Sequence, residues 1–410
     1  MPPDRLAQVL AALPAHIALT QAEPGCLAFE VSQSPTEPGH VLVTELFADQ
    51  AAFEQHQARV SSSRWGQVTA GMDRHYTITT EGEPAEAPPA GEQAPEAPTG
   101  PAFAVPDVVR RRAIAEGQAG EDWLASLDEV LASLERDWEI TIGSTQPGGT
   151  AAFVAQATTD AGEPVILKLS TPATAAQRHE AAVLAHAAGK GYVGLLRHDA
   201  SRGAMLLESL GDRLDTLDLP HQRQVDIVCA TLLEAWMPVP EGFPGPTGAD
   251  KANDLAQAIL RLWSGAGQPC AQAVIDMALM YCRDRASAYR PQSAVLAHGD
   301  PHPANVLAVP GSSPARFRFI DPDGLAIEPA YDLGVLLRGW HDGISGRHAH
   351  DIARSHARYL TTRTQVPSEA IWQWGYIERV STGLHLLEIG ETENAQVFLK
   401  TAELIADTAG

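Results

Sequence analysis

The chain has 410 residues, of which 44% are apolar, so it is long enough to fill two or three hydrophobic cores. It carries 51 acidic and 29 basic residues, and the resulting formal charge of -22 argues against nucleic acid or an anionic membrane as a partner. No apolar run approaches the roughly 20 residues of a membrane-spanning helix. Four cysteines without CxxC spacing, and an N-terminus without a signal-peptide pattern, predict reduced thiols in a cytoplasmic protein.

The first 80 residues have the pattern of a small α+β domain. Apolar residues spaced three and four apart predict helices in DRLAQVLAAL and AAFEQHQARV. Alternating apolar residues predict strands in CLAFEV, HVLVTELF and HYTI. The predicted order is therefore helix, strand, strand, helix, strand.

Several short motifs in this segment match one known family. They are E-P-G-C-L-A-F-E-V from Glu23, E-L-F-A-D from Glu45, A-F-E-Q-H from Ala52, then Trp65 and Arg74-His75-Tyr76. Residues 1–80 thereby resemble the antibiotic-biosynthesis-monooxygenase family, which implies a dimeric, ferredoxin-like α+β fold. That family begins with a β-strand that is missing here. We therefore expect either a degenerate domain that mainly forms a homodimer or a true start upstream of Met1.

Three side chains of this domain are candidates for a function of their own. His16, His56 and Trp65 would line a cofactor-independent oxygenase pocket under one hypothesis, and would simply pack inside the barrel under the other. We favour packing.

Residues 81–104 separate this domain from the rest of the chain. The segment EGEPAEAPPAGEQAPEAPTGPAFA consists mainly of Ala, Pro, Glu and Gly and contains no Lys or Arg. It cannot bury enough apolar area to offset the loss of chain entropy. The composition predicts a semi-extended linker between residues 1–80 and residues 105–410.

The beginning of the second piece alternates helical and strand-like patterns. EDWLASLDEVLASLERDW places its apolar residues on one helical face, which predicts a packing helix. Gly148 and Gly149 lie between two strand-like runs, and VILKLS is an apolar strand containing Lys168. TPATAAQRHEAAVLAHAAGK predicts one helix, with Glu180 one turn before Leu184. VGLLRHD and AMLLESL predict a hairpin, and long helices follow at 222–236, 251–263 and 271–289.

The strongest chemical signal lies late in the chain, in VLAHGDPHPANVL, RFRFIDPDGL and YDLGVLL. An apolar run delivers Asp300 to a loop, Asn305 follows five residues later, and the next strand ends at Asp321. Phosphoryl transfer needs an aspartate that orients the attacking hydroxyl and hard oxygen ligands that hold Mg²⁺. These three residues supply both requirements.

The motifs H-G-D-P-H-P-A-N and I-D-P-D-G, followed by Y-D-L, resemble the aminoglycoside phosphotransferase family over residues 105–410. Within it, they are similar to the streptomycin 6-phosphotransferase and hydroxyurea-resistance kinase group. The resemblance implies a bilobal, protein-kinase-like α+β fold, with a small β-rich lobe at about 105–210 and a large helical lobe at about 211–410. It implies ATP as phosphate donor, Asp300 as the catalytic aspartate, Asn305 and Asp321 as Mg²⁺ ligands, and Asp332 as a structural helix cap.

The same resemblance implies roles in the small lobe. Lys168 would contact the α and β phosphates and Glu180 would hold it by an ion pair, with Arg178 nearby. The nucleotide phosphates would be covered by a loop with Gly148, Gly149 and Thr150. The adenine would be bound by the backbone of a hinge formed by Glu208, Ser209 and Leu210.

Other polar and aromatic residues leave alternatives open. His298 and His302 are four residues apart and would suit a transition-metal site, although a loop histidine bonded to backbone is favoured for His298. A cationic acceptor would pair with Asp342, Glu378 or Glu388, although each is more often a solvated helix charge. The tryptophans that could stack on a flat substrate, or more commonly pack in the core, are Trp340, Trp372 and Trp374.

These patterns predict an ATP-dependent phosphotransferase whose acceptor is a small hydroxylated cation, with streptomycin-like aminoglycosides as the leading class. The acidic charge is consistent with a cationic acceptor, although it also serves solubility. One alternative is a metabolic or biosynthetic kinase that acts on a sugar or an amino-alcohol. The other is an N-terminal monooxygenase or dimerisation unit with a regulatory kinase lobe.

Overall fold

The computed structural model describes residues 105–146, 151–177 and 179–407, together with Phe103, residues 26–33 and 41–47, and separate positions between residues 12 and 69. The chain forms two compact units, Met1–Glu96 and Ala97–Gly410. None of the helices within the described residues has the length and apolarity to cross a bilayer.

The first unit contains an antiparallel pair of strands, β1 (Cys26–Gln33) and β2 (Val41–Phe47). They pair from Cys26 opposite Phe47 to Gln33 opposite Val41, with an irregularity near the start of β1. Both strands were expected from their alternating residues, and both are confirmed. The strand expected in HYTI, at residues 75–78, and the residues before position 12 lie outside the described part of the chain.

The second unit begins with a lobe built on one antiparallel sheet. Its helices are α1 (Asp107–Ala115), α2 (Gln118–Trp138), α3 (Pro172–Gln177) and α4 (Glu180–Ala187). Its strands are β3 (Ile140–Thr145), β4 (Ala152–Thr159), β5 (Pro164–Ser170), β6 (Leu195–Asp199) and β7 (Ala204–Glu208), in the order β3-β4-β5-β7-β6. Helix α2 buries Leu127, Leu131 and Leu134 in the same core as Phe153 and Leu167. The predicted packing helix is confirmed.

The helix expected over residues 171–190 is interrupted. Helix α3 ends at Gln177 and α4 begins at Glu180, so the prediction of one continuous helix is wrong. The amide of His179 donates to the carbonyl oxygen of Asp323 at 3.3 Å. In an uninterrupted helix, this amide would instead bond to a carbonyl of the preceding turn. The break therefore ties the start of α4 to the segment after Asp321.

The rest of the chain is a helical lobe with two small sheets. Its helices are α5 (His221–Ala235), α6 (Gly248–Gly265), α7 (Gln272–Ala288), α8 (Ala330–Arg338), α9 (Ala349–Thr364), α10 (Ser368–Glu388) and α11 (Thr392–Asp407). Its short strands are β8 (Met237–Pro238), β9 (Val295–Ala297), β10 (Val306–Ala308), β11 (Phe317–Phe319) and β12 (Leu325–Ile327). The sheets are β12-β9-β8 and β10-β11. The three helices predicted between residues 222 and 289 are α5, α6 and α7.

Helices α8 and α10 pack closely against each other beside the site. A Cβ at Gly334 would lie 2.5 Å from the Trp374 Cβ, and a Cβ at Gly375 would lie 2.7 Å from a Leu337 methyl carbon. Glycine at both positions lets the two helix backbones approach each other closely. Helices α8 and α10 are therefore packed directly against each other in the large lobe. The predicted bilobal α+β fold is confirmed.

Candidate active site

The loop that carries Asp300 connects β9 and β10 and begins with a sharp turn. Gly299 has a φ of 97°, and a Cβ there would lie 2.8 Å from the Asp323 Cβ. Only glycine adopts this conformation and tolerates this contact without strain. The turn places Asp300 directly beyond the buried end of β9, as its position after an apolar run predicted.

The carboxylate of Asp332, in the first turn of α8, fixes the backbone of this loop. It is fully buried and accepts hydrogen bonds from the amide of His298 at 3.0 Å and from the amide of Gly299 at 2.9 Å. The indole of Trp236 donates a third hydrogen bond at 2.9 Å. Burial raises the pKa of Asp332 to about 6, and these three donors oppose the shift. The expectation that Asp332 caps its own helix is wrong, because its carboxylate oxygens accept from the amides of the loop and not from those of α8.

The Asp332→Ala variant should be strongly destabilised. It leaves two buried loop amides and an indole N–H without their acceptor, and we expect the free energy of unfolding to fall by about 3 kcal/mol. Urea denaturation of the full chain measures this loss. Asp351→Ala is the matched control, because Asp351 also lies in the first turn of a helix but its side chain is 82% exposed. Equal stability of the two variants would contradict this role.

His298 is a buried structural residue of the loop. Its Nε2 donates to the carbonyl oxygen of Ile320 at 2.9 Å, and its Nδ1 accepts from the amide of Asp300 at 3.1 Å. Burial lowers the pKa of the imidazole to about 4, so the ring is neutral. Because both nitrogens bond to backbone, the loop-histidine hypothesis holds and His298 has no lone pair to offer a transition metal.

The Asp300 carboxylate is held from two sides. Its Oδ1 accepts from Arg338 Nη2 at 2.7 Å, and its Oδ2 lies 3.3 Å from Nε2 of His302. Burial alone would raise the pKa of Asp300, but the hydrogen bond with His302 and the charge of Arg338 outweigh burial and hold this pKa well below its usual range. Asp300 is therefore a fixed anion.

A second cluster joins the two lobes. Lys168 Nζ in β5 lies 2.7 Å from both carboxylate oxygens of Glu180 and 2.7 Å from Oδ1 of Asp321. Lys168 and Glu180 are buried, whereas the Asp321 side chain is 37% exposed. Burial would lower the pKa of Lys168, but the charges of Glu180 and Asp321 raise it above its ordinary value. The ion pair predicted between Lys168 and Glu180 is present, and it extends to Asp321.

Asn305 and Asp321 are connected through the backbone. The amide of Ile320 donates to the carbonyl oxygen of Asn305 at 3.0 Å, and Nδ2 of Asn305 donates to the carbonyl oxygen of Asp300 at 3.1 Å. Asp321 has a φ of 57°, a left-handed conformation that is rare for aspartate. This conformation ends the run of β11 and sends the Asp321 side chain to Lys168.

The residues present fit a hard divalent cation. Asn305 contributes an amide oxygen and Asp321 a partly exposed carboxylate, and oxygen ligands of these two kinds are those that Mg²⁺ takes in nucleotide sites. Lys168 donates to Oδ1 of Asp321 at 2.7 Å, and a carboxylate oxygen can accept more than one bond, so this contact is compatible with metal ligation.

The predicted hinge lies where the chain passes from the small lobe to the large one. Strand β7 ends at Glu208, and the amide of Gly211 donates to the carbonyl oxygen of Ala308 at 2.8 Å. The amide of Glu208 donates to Gly194, and its side chain pairs with Arg318. The amide of Glu208 is therefore used within the small lobe, and Leu210 follows in the same segment. Gly148, Gly149, Thr150 and Arg178 lie outside the described residues.

A cavity of about 290 Å³ opens beside Asp300. Its wall includes Glu378, one of the three carboxylates proposed from sequence to contact an acceptor. The other two lie elsewhere: Asp342 is 70% exposed and pairs with His221, and Glu388 pairs with Arg261 at the surface. Asp342 and Glu388 are therefore solvated charges, as the alternative hypothesis predicted.

Sequence reasoning missed several cavity residues. Asp323 is part of the I-D-P-D-G motif and could have been found there. Arg338 ends the helix that begins near Y-D-L, but nothing in the local pattern points it toward Asp300. The cavity is also lined by the polar residues Lys251, Tyr331, Ser381, Thr382 and His385.

The aromatic candidates pack in cores. Trp340, Trp372 and Trp374 are all buried, which agrees with packing over stacking on a substrate. In the first unit, His16 stacks on Trp65 with ring centroids 4.6 Å apart, and buried His56 lies 2.7 Å from Glu23 and 3.3 Å from Glu45. Formation of a homodimer through residues 1–80 stays a prediction.

Comparison with known proteins gives two family matches. The model described as aminoglycoside/hydroxyurea antibiotic resistance kinase matches residues 137–390, and the antibiotic biosynthesis monooxygenase model matches residues 1–66. A streptomycin 6-kinase from Streptomyces glaucescens is 28% identical over 286 residues, which are 67% of this chain and 87% of that protein. Both family resemblances expected from the sequence motifs are confirmed.

Several solved structures also match most of this chain, at lower sequence identity than the streptomycin 6-kinase. A choline kinase from Streptococcus pneumoniae matches with a TM-score of 0.47 at 16% identity, covering 68% of this chain and 99% of its own. The aminoglycoside phosphotransferase APH(3'')-Id from Streptomyces rimosus, in complex with ADP and streptomycin, matches with a TM-score of 0.44 at 14% identity, covering 62% and 98%. Because the first family model spans well over half of the chain, this protein belongs to the aminoglycoside/hydroxyurea antibiotic resistance kinase family.

Proposed function

We propose that this protein transfers the γ-phosphate of ATP to a hydroxyl of a small cationic acceptor, with a streptomycin-like aminoglycoside as the leading candidate. One observation carries the proposal: Lys168 joins Glu180 to Asp321 at 2.7 Å, while Asp300, anchored in the adjoining loop, faces a cavity of about 290 Å³. This arrangement separates a nucleotide side from an acceptor side. The reaction consumes ATP, so we assign it to the cytoplasm.

On the nucleotide side, Lys168 would contact the α and β phosphates, with Glu180 holding it in place. Asn305 and Asp321 would hold Mg²⁺, which neutralises charge on the phosphates when bound. The carbonyl of Glu208 and the backbone near Leu210 would receive the base. Gly148 and Gly149 are proposed to cover the phosphates, as the sequence suggested.

On the acceptor side, the hydroxyl oxygen forms a bond to the γ-phosphorus while the bond to the β,γ-bridging oxygen breaks and ADP leaves. The hydroxyl proton passes to Asp300. A carboxylate whose pKa is held low is a weak base, so Asp300 acts mainly by orienting the hydroxyl and takes the proton late. This suits a loose transition state, which demands little deprotonation before the phosphoryl group moves.

The cavity has the chemistry of a polyhydroxylated cation site. Its charged side chains are three carboxylates, Asp300, Asp323 and Glu378, against two cations, Lys251 and Arg338. The hydroxyls of Ser381 and Thr382 lie on the same wall and can exchange hydrogen bonds with an amino-sugar or a cyclitol. The overall charge of -22 raises the local concentration of a cationic acceptor, and the streptomycin 6-kinase relative supports the choice of acceptor.

The test is ADP release by the full chain with Mg-ATP on a panel of streptomycin, other aminoglycosides, hydroxyurea, amino-sugars and amino-alcohols, with Asp300→Asn as the blank. Turnover on streptomycin, with a phosphorylated product found by mass spectrometry, would support the proposal. Turnover on a neutral sugar or an amino-alcohol alone would favour the metabolic-kinase alternative. A silent panel together with normal ATP binding would contradict the proposed acceptor class.

A further inference from the structure

A series of polar contacts leads from the partly exposed Asp300 to buried residues in the wall of the cavity. The Arg338 guanidinium donates from Nη2 to Oδ1 of Asp300 at 2.7 Å and from Nη1 to Glu378 at 3.3 Å. The Glu378 carboxylate also accepts from the hydroxyl of Tyr331 at 2.7 Å. Tyr331 and Glu378 are 1% and 5% exposed, so this series is shielded from water up to Arg338.

The contacts divide the two oxygens of Asp300 between different neighbours. Arg338 occupies Oδ1, whereas among the described residues the ion-pair partner of Oδ2 is His302 at 3.3 Å, whose side chain is 39% exposed. A carboxylate oxygen accepts more than one hydrogen bond, so Oδ2 can receive a hydroxyl while His302 stays in place. Oδ1 is committed to the strong, charge-assisted bond.

We propose that Arg338 is a positioning residue for the phosphoryl transfer proposed above: it fixes the Asp300 carboxylate so that Oδ2 alone meets the acceptor hydroxyl. Arg338 contacts neither reacting atom and acts through Asp300. Glu378 and Tyr331, in turn, hold the guanidinium, so the orientation of Asp300 is set by helix α8 and helix α10 together.

Helix α8 holds the loop of Asp300 at two points. Asp332 in the first turn of α8 holds the backbone of the loop, and Arg338 in the last turn of the same helix holds the side chain of Asp300. Six residues of helix, about 9 Å, separate the two anchors. The close approach at Gly334 packs α8 against α10, which places Glu378 within hydrogen-bond distance of Arg338.

Arginine has a property here that lysine lacks. Its planar guanidinium presents several N–H donors in a fixed fork, so one side chain can bond two carboxylates in set directions. A lysine ammonium keeps the charge but not the directions. The competing role is direct binding of an anionic group of the acceptor by Arg338, and it predicts a different kinetic result.

The structural arm of the test compares crystal structures of the full chain as wild type and as Arg338→Met. We expect the Asp300 carboxylate to rotate away from its wild-type orientation in the variant. An unchanged Asp300 rotamer would overturn the proposal. This arm needs no acceptor, so it is decided even if no member of the acceptor panel is phosphorylated and the proposed function fails.

The kinetic arm uses the best acceptor of the panel. Arg338→Met should lower kcat by about 100-fold, with the KM values for acceptor and ATP within about threefold of wild type, because a misaligned base costs rate and not binding. Arg338→Lys should lower kcat about tenfold. This intermediate loss would reflect the missing hydrogen-bond directions, because lysine keeps the positive charge. A raised acceptor KM with normal kcat would assign Arg338 to acceptor binding and overturn the proposal.

Two further variants protect the test against misfolding. Glu378→Gln keeps the size of the side chain, loosens Arg338 and should lower kcat less than Arg338→Met does. Arg261→Met is the matched control and should keep wild-type kcat, because Arg261 is 65% exposed and pairs with Glu388 at the surface. If Arg338→Met does not fold, Arg338→Lys and Glu378→Gln carry the same comparison, and wild-type kcat in both would overturn the proposal.

Discussion

Asp300→Asn should lose about 10³-fold in kcat while its affinity for ATP stays near that of the wild type. The amide oxygen of asparagine can still accept the hydrogen bond from Arg338, so the side chain should keep its place. In the proposed mechanism, it would lose the negative charge that orients the hydroxyl and the site that receives the proton. Steady-state ADP release gives kcat, and titration with a fluorescent ATP analogue gives the nucleotide affinity.

The matched control for this variant is Asp342→Asn. It makes the same chemical change at a side chain that is 70% exposed and lies outside the cavity, so its kcat should equal that of the wild type. The role of Asp300 would be refuted by an Asp300→Asn variant that retains a tenth or more of wild-type kcat. A loss of ATP affinity as large as the loss of kcat would place Asp300 on the nucleotide side instead.

The elements that sequence predicts well are those whose signal is local. The apolar stripe of α2, the alternation in β1 and β2, and the long helices α5 to α7 all follow from periodicity within one segment. The motif around Asp300 is also local, since Asn305 lies five residues away on the same loop. The pairing of Lys168 with Glu180 joins neighbouring elements, and the family resemblance predicts it.

Long-range contacts could not be read from the sequence. Arg338 reaches Asp300 across 38 residues and Glu378 across 40, and no periodicity encodes either approach. At the break between α3 and α4, the amide of His179 bonds to Asp323, far away in sequence, while the local residues favour a continuous helix. Asp342 and Glu388 have the same residue types as Asp323 and Glu378, and only the packing of the helices distinguishes the solvated carboxylates from those of the cavity.

Lys168→Met should lose both stability and activity, for separable reasons. It leaves Glu180, 3% exposed, as a buried charge without its cation, and we expect the free energy of unfolding to fall by about 3–5 kcal/mol. It also removes the group proposed to contact the phosphates, which should lower kcat/KM for ATP by about 100-fold or more. Thermal denaturation and ADP release measure the two effects, and Lys400→Met at an exposed position of α11 is the control.

The double variant Lys168→Met/Glu180→Met separates the two effects. An apolar pair of similar size in place of a buried ion pair is often neutral for stability, so most of the lost free energy of unfolding should return. Activity should not return, because no cation remains to contact the phosphates. Recovery of both would mean that Lys168 serves folding alone. Recovery of stability without activity would support the proposed role of Lys168, held by Glu180 and Asp321, in phosphate binding.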